Sequence, residues 1–277
     1  MIEYYQQPQF EPFAMNHTGG ADDRVGVMLV HGFTGSPADM RPLAQLLFDH
    51  GADCHAIMHP GMATDVGNLA RTTAAIWRGA SLECWAEHVG RYSRTILVGY
   101  SMGGAAAIQM AAGVAPDLLM LLAPFIRIND RRAVFLPVVK HAIKEFKLFS
   151  RVDFNDPLVR EWFEAALPDL DFDDPETRRV VRDETGFAGP VLDELRKFGS
   201  MGSREAPKIS APVVIIQGLQ DTVVHPRHTR RLASRFSNLR AYHEIEGEHL
   251  LTLDTVRSWP VVRSLTLGAA ATLLPRV

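Results

Sequence analysis

The chain has 277 residues, 47% of them hydrophobic and 22% charged, with a formal net charge of −3 and an isoelectric point near 6.4. That length suits one large core with insertions, and the charge balance leaves no basic footprint for nucleic acid and no polybasic patch for a membrane surface. Residues 1–7 carry neither a positive nor an apolar leader region, so no signal peptide is expected, and two cysteines alone, Cys54 and Cys84, suit reduced thiols in a cytoplasmic protein.

In chain order, short β-rich runs alternate with helical stretches, the pattern of an α/β fold whose mainly parallel sheet has helices on both faces. An edge strand is expected over 9–15 and a first buried strand over 25–30. The latter ends in His31-Gly32-Phe33-Thr34-Gly35, where glycines let the backbone curl and present the Phe33 N–H as an oxyanion donor. His31 is expected to hold that loop through hydrogen bonds. Ser36-Pro37-Ala38-Asp39 then reads as a helix start with a proline at its first position, followed by Leu43, Leu46 and Leu47 at helical spacing. Further strands are expected over 53–58, 95–100, 118–122, 212–217 and 239–245, and a last helix from Ser258 through Leu273.

The strand at 95–100 runs into Gly99-Tyr100-Ser101-Met102-Gly103. This spacing puts a serine on a strand-to-helix turn so tight that glycine is needed two residues to either side, and it predicts a strained, exposed Ser101 Oγ. Met102 opens the next helix, so its N–H forms a second oxyanion donor, helped by the positive end of the helix dipole. The letters recur at Gly199-Ser200-Met201-Gly202, but there Phe198 replaces the leading glycine and no strand precedes. The apolar stretch 105–126 is broken by Gln109, Gly113, Pro116 and Asp117 into helix, turn and strand, so stable membrane insertion is not expected.

Residues 125–207 interrupt the alternation with short helical segments and acidic, proline-punctuated joints such as Asn155-Asp156-Pro157 and Asp173-Asp174-Pro175. A block of this length reads as an inserted helical cap, with residues 1–124 and 208–277 forming the core that carries it. Nine of the fourteen phenylalanines lie in the block. Most are expected to form its own core. Phe125, Trp162 and Met201 are candidates for an apolar substrate pocket. An exposed apolar cap face would also allow a homodimer.

A serine needs a base, and the base an orienting acid, because a free hydroxyl is a weak nucleophile at neutral pH. After the strand 212–217 comes Gly218-Leu219-Gln220-Asp221, and after 239–245 comes Glu246-Gly247-Glu248-His249. Both loops fall at the carboxyl edge of the sheet, where Ser101 also lies and where open α/β sheets keep their sites. Among eleven histidines, His249 has the setting for the base, with Asp221 as its acid. Glu246, Glu248 and Asp254 are neighbours of His249 but poorly placed to reach under its ring. No cluster has metal-ligand spacing and no glycine-rich nucleotide loop occurs, so neither metal nor cofactor is expected.

Together these residues resemble the α/β-hydrolase family, over nearly the whole chain outside the 125–207 block. His31-Gly32-Phe33-Thr34-Gly35-Ser36-Pro37 with Gly-Tyr-Ser-Met-Gly-Gly at 99–104 is most similar to small bacterial carboxylesterases and monoacylglycerol lipases. The resemblance implies Ser101 as nucleophile, His249 as base, Asp221 as its partner, Phe33 and Met102 as oxyanion donors, and a small apolar ester as substrate. Two positions depart from the family pattern: Gly61-Met62-Ala63 stands where relatives often carry Gly-His-Gly, and the histidine turn holds Glu246 and Glu248. The same three residues would also serve a thioesterase, an amidase or a carbon–carbon hydrolase. A non-catalytic ligand-binding relative normally lacks one of them. Dehalogenase and epoxide-hydrolase chemistry calls for an aspartate where this chain has Ser101.

Overall fold

Runs such as Val25-Gly-Val-Met-Leu-Val30 are apolar at every position because they are covered on both faces, as parallel strands are. A computed structural model describes residues 6–18, 24–129, 133, 135–140, 145–147, 152–155, 157–167, 169–184 and 186–275. In chain order its main elements are β1 (Phe13–Met15), β2 (Val25–Val30), α1 (Arg41–Phe48), β3 (Asp53–Ile57), α2 (Ala74–Val89), β4 (Arg94–Tyr100), α3 (Met102–Gly113) and β5 (Leu118–Leu122). There follow α4 (Leu136–Val139), β6 (Phe146–Lys147), α5 (Pro157–Ala166), α6 (Pro175–Glu184), β7 (Gly186–Phe187), α7 (Gly189–Glu205), β8 (Val213–Gly218), α8 (Pro226–Ala233), β9 (Leu239–Ile245) and α9 (Trp259–Ala270).

Seven strands form one sheet in the order β1-β3-β2-β4-β5-β8-β9, parallel throughout except for β1, which pairs antiparallel with β3. The edge strand is shorter than the sequence suggests, three residues in place of seven, and a 3-10 turn at Pro8–Phe10 takes its first two positions. Strands β2, β5 and β8 are buried at every residue, whereas β1 and β9 are only partly covered, as edge positions require.

Alternate residues divide the sheet's two faces. Val25, Val27, Leu29, Ile96, Val98, Leu118, Met120 and Leu122 share one apolar cluster with Met40, Leu43, Ala44 and Leu47 at α1 and with Val262 and Ala270 of α9. The opposite face is covered by α3, with α2 packed on it. Helix α2 has no clear amphipathic signature in the sequence. Its buried residues, Ala74, Trp77, Ser81, Trp85 and His88, recur at three- and four-residue steps, and two of the five are polar, which hides the stripe in a hydrophobicity reading.

The chain divides into two compact units, 1–129 with 195–277 and 130–194. Within the second unit, Phe154, Phe163, Phe172 and Val181 form a separate apolar cluster, with the Phe154 and Phe172 rings stacked at 5.7 Å. The prolines punctuate helix starts: Pro157 and Pro175 open α5 and α6, and Asp174 caps α6 by accepting from the backbone of Glu176 at 3.1 Å and Thr177 at 3.2 Å. Phe135 is 62% exposed, while Phe125 and Phe198 are buried in the first unit. Phe149 lies outside the described residues, as does the Phe146 side chain. Cys54 and Cys84 are free thiols. Among the described residues no helix is long and apolar enough to cross a membrane.

Candidate active site

Ser101 sits between β4 and α3 with φ of 52° and ψ of −119°, a left-handed backbone that a residue with a side chain rarely adopts. The surroundings hold it there. Its N–H donates to Leu122 O at 3.0 Å, and its carbonyl accepts from Phe125 N and Gly104 N, each at 2.9 Å. A side chain at Gly99 would meet Gly103 O at 2.5 Å and Gly104 Cα at 2.7 Å, and one at Gly103 would run into the Val30 carbonyl. Glycine is required at both by close backbone approach. The serine is strained but not exposed: it is 7% accessible, because the turn is enclosed by neighbouring loops. Gly32 is one such neighbour; a Cβ there would stand 3.1 Å from Ser101 Cβ.

His249 follows β9 and Asp221 follows β8, both buried, at 6% and 2% accessibility. His249 Nε2 lies 3.0 Å from Ser101 Oγ, and His249 Nδ1 lies 2.7 Å from Asp221 Oδ2. Since a carboxylate only accepts, Nδ1 carries the hydrogen and Nε2 is left as the acceptor facing the serine. Asp221 Oδ1 accepts from Val223 N at 2.9 Å and Val224 N at 2.7 Å, which pins the carboxylate plane. Gly218 admits the histidine loop: any side chain there would collide with the carbonyls of Gly247 and Glu248. Glu246 and Asp254 are exposed.

Tyr100 packs its ring 5.2 Å from that of His249. Burial, then the negative charges of Asp221 and Asp39, push its phenol well above the usual range, so it stays neutral. Asp39 itself is pushed up to about 6 by burial, against the opposing hydrogen bond from Ser36 N at 3.0 Å.

The loop after β2 rests on an arrangement the sequence shows only in part. His31 Nδ1 donates to Gly32 O at 2.8 Å, and His31 Nε2 accepts from His59 N at 3.2 Å. Burial lowers its pKa to about 4, so the ring is neutral and structural. His59, just past β3 at the same sheet edge, packs its ring 5.3 Å from His31 and 6.1 Å from Phe198. Trp77 continues this cluster to Phe198 at 5.6 Å and Phe33 at 6.3 Å, and its indole N–H donates to Pro60 O at 2.9 Å.

Met102 is fully buried at the first position of α3, where a helix N–H has no partner within the helix. Phe33 is half-buried in the turn after Gly32. Phe125 is buried, and a Cβ at Gly199 would stand 2.8 Å from its ring. Met201 is half-buried on α7. Trp162 belongs to α5, and its side chain lies outside the described residues. Among the described residues no group of three or more His, Cys, Asp and Glu could hold a metal ion.

A model of the family described as serine aminopeptidase, S33, matches residues 21–255. The chain belongs to this family of α/β-hydrolases. Among relatives of this S33 member, a thermostable monoacylglycerol lipase of Bacillus sp. (strain H-257) is 36% identical over 249 residues, covering 88% of this chain and 90% of that one. Two solved structures share the fold. One comes from work on the metagenome-derived lipolytic enzymes LipS and LipT, with a TM-score of 0.74 at 21% identity, covering 96% of this chain and 98% of the other. The second is a monoacylglycerol lipase of Paleococcus ferrophilus, with a TM-score of 0.67 at 18% identity, covering 94% and 98%.

Proposed function

We propose that this S33 member hydrolyses carboxylic esters through an acyl-enzyme, with Ser101 as nucleophile, His249 as general base and Asp221 as the group that orients it. The observation that carries the reading is the unbroken relay from Asp221 Oδ2 to His249 Nδ1 at 2.7 Å and from His249 Nε2 to Ser101 Oγ at 3.0 Å. In the first step His249 Nε2 takes the hydroxyl proton as Ser101 Oγ attacks the ester carbonyl carbon. The carbonyl oxygen becomes an oxyanion held by the N–H groups of Phe33 and Met102, each such donor being worth about 3 kcal/mol. Collapse breaks the bond to the alkoxy oxygen, and His249 returns its proton to the leaving alcohol. Water then repeats the cycle, giving its proton to His249 and its oxygen to the acyl carbon, and Ser101 is restored.

The 36%-identical relative named as a monoacylglycerol lipase supports an ester of this kind, of short or medium acyl chain or monoacylglycerol-like. Phe125 and Met201 are the pocket residues of this reading. A cytoplasmic location and pairing into homodimers complete the proposal. The test is a fluorophosphonate probe followed by peptide mapping, together with a chain-length series of p-nitrophenyl esters and thioesters. Label on Ser101 alone with ester turnover supports the reading. Label elsewhere, or thioester turnover far above ester turnover, overturns it.

A further inference from the structure

Gln217 is the polar exception in β8, a strand whose six residues are all buried. A carboxamide is costly to bury unless it is hydrogen-bonded. Here the cost is offset at both ends: the two Nε2 hydrogens are shared among Asp221 Oδ2 at 3.0 Å, Gly218 O at 3.0 Å and Val224 O at 3.1 Å, and Oε1 accepts from Thr229 Oγ1 at 2.6 Å. Three acceptors around one end identify that end as the NH2 group; turned over, the amide oxygen would face a carboxylate and two carbonyls. The Asp221 oxygen that Gln217 reaches is the same one that His249 uses.

We propose that Gln217 is a positioning residue of the reaction: with Thr229 behind it, it holds Asp221 Oδ2 in line with His249 and draws charge from that oxygen. This inference rests on the roles assigned to Ser101, His249 and Asp221 under the proposed function. A hydrogen-bond donor on Oδ2 competes with the histidine for the same lone pairs, so it limits how strongly Asp221 favours the imidazolium. Among the described residues this carboxylate also accepts from the backbone N–H groups of Val223 and Val224, and its charge helps to raise the pKa of the buried, neutral Tyr100 phenol. Neither backbone group titrates, and Tyr100 remains protonated across the pH range in which a histidine ionises. Gln217 is therefore the non-titrating side-chain donor that shares Oδ2 with His249. It lies behind Asp221, within the strand, and acts on the substrate only through His249.

The experiment measures ester turnover and fluorophosphonate inactivation against pH for the wild-type chain and for Q217M, T229V and T229S. Q217M removes the donor at similar volume. It is expected to lower kcat about tenfold with KM within about twofold, and to move the acid limb of both profiles upward by about half a pH unit. T229V releases the amide and is expected to move the limb the same way by less, while T229S restores the wild-type profile. Where Q217M does not fold, the comparison of T229V with T229S decides. Folded variants with the wild-type limb and kcat overturn the inference. Full turnover in S101A would instead overturn the proposed function, so the two failures are told apart.

Discussion

Ser101 Oγ stands 3.0 Å from His249 Nε2 although 148 positions separate the two residues along the chain. Parallel pairing brings this about, because β4, β8 and β9 all end at one sheet edge and each delivers a loop there. The contact leads directly to a mutational test. S101A should lower kcat on a short p-nitrophenyl ester by roughly 10⁴–10⁶-fold with the urea midpoint unchanged. A rate near wild type would remove Ser101 from the mechanism.

The left-handed φ of 52° at Ser101 adds a second expectation. Such strain costs on the order of 1–3 kcal/mol for a residue with a side chain and far less for glycine. S101G should therefore be inactive yet more stable than S101A by about 1 kcal/mol, read from urea denaturation. Equal stability of the two variants would show that the turn is not strained.

Asp221 accepts from His249 Nδ1, and an asparagine in its place could present its NH2 group to that nitrogen and reverse the tautomer. D221N should lose on the order of 10⁴-fold in kcat while still folding. Retention of most activity would assign the orienting role to another acid, Glu246, Glu248 or Asp254.

The buried histidines set an acid limit on stability. His31 and His88 both titrate at about 4 in the fold, against an ordinary 6.5, chiefly through burial, and His59 is also lowered. A depressed histidine leaves the unfolded chain binding the proton first, so stability present above pH 6.5 is lost as pH falls toward 4. For His31 alone the loss approaches about 3 kcal/mol. Asp39 works in the opposite sense: with its pKa raised from 3.8 to about 6, it destabilises the fold as pH rises through that window, and so offsets part of the loss on acidification. The net expectation is a falling urea midpoint between pH 7 and pH 4.5, with a shallower fall in H31Q. A flat profile would contradict the burial of these rings.

Trp77 links Pro60 O to the rings of Phe33 and Phe198. W77F should lose about 1 kcal/mol by removing the hydrogen bond to the carbonyl of half-buried Pro60. It should also lower kcat more than it raises KM, because the loop bearing Phe33 loses its support. A change in KM alone would separate Trp77 from that loop.

The amino-acid sequence by itself determined the sheet and its elbow. Runs such as Leu118-Leu-Met-Leu-Leu122 can be buried on both faces in few other ways, and Gly99 and Gly103 leave little other reason for a serine between them. What only the tertiary structure decided was company across strands. That His59 N meets His31 Nε2, and that Asp221 rather than a nearer acid lies at His249 Nδ1, on the oxygen Gln217 already reaches from four positions away, depends on which strands are neighbours. Local propensity carries no such information, because hydrogen bonds between residues 28 or more positions apart form only once the chain has closed and water has left the space between its loops. One sign of Gln217 was visible beforehand: a lone polar side chain ending an apolar strand must find partners or not be buried at all.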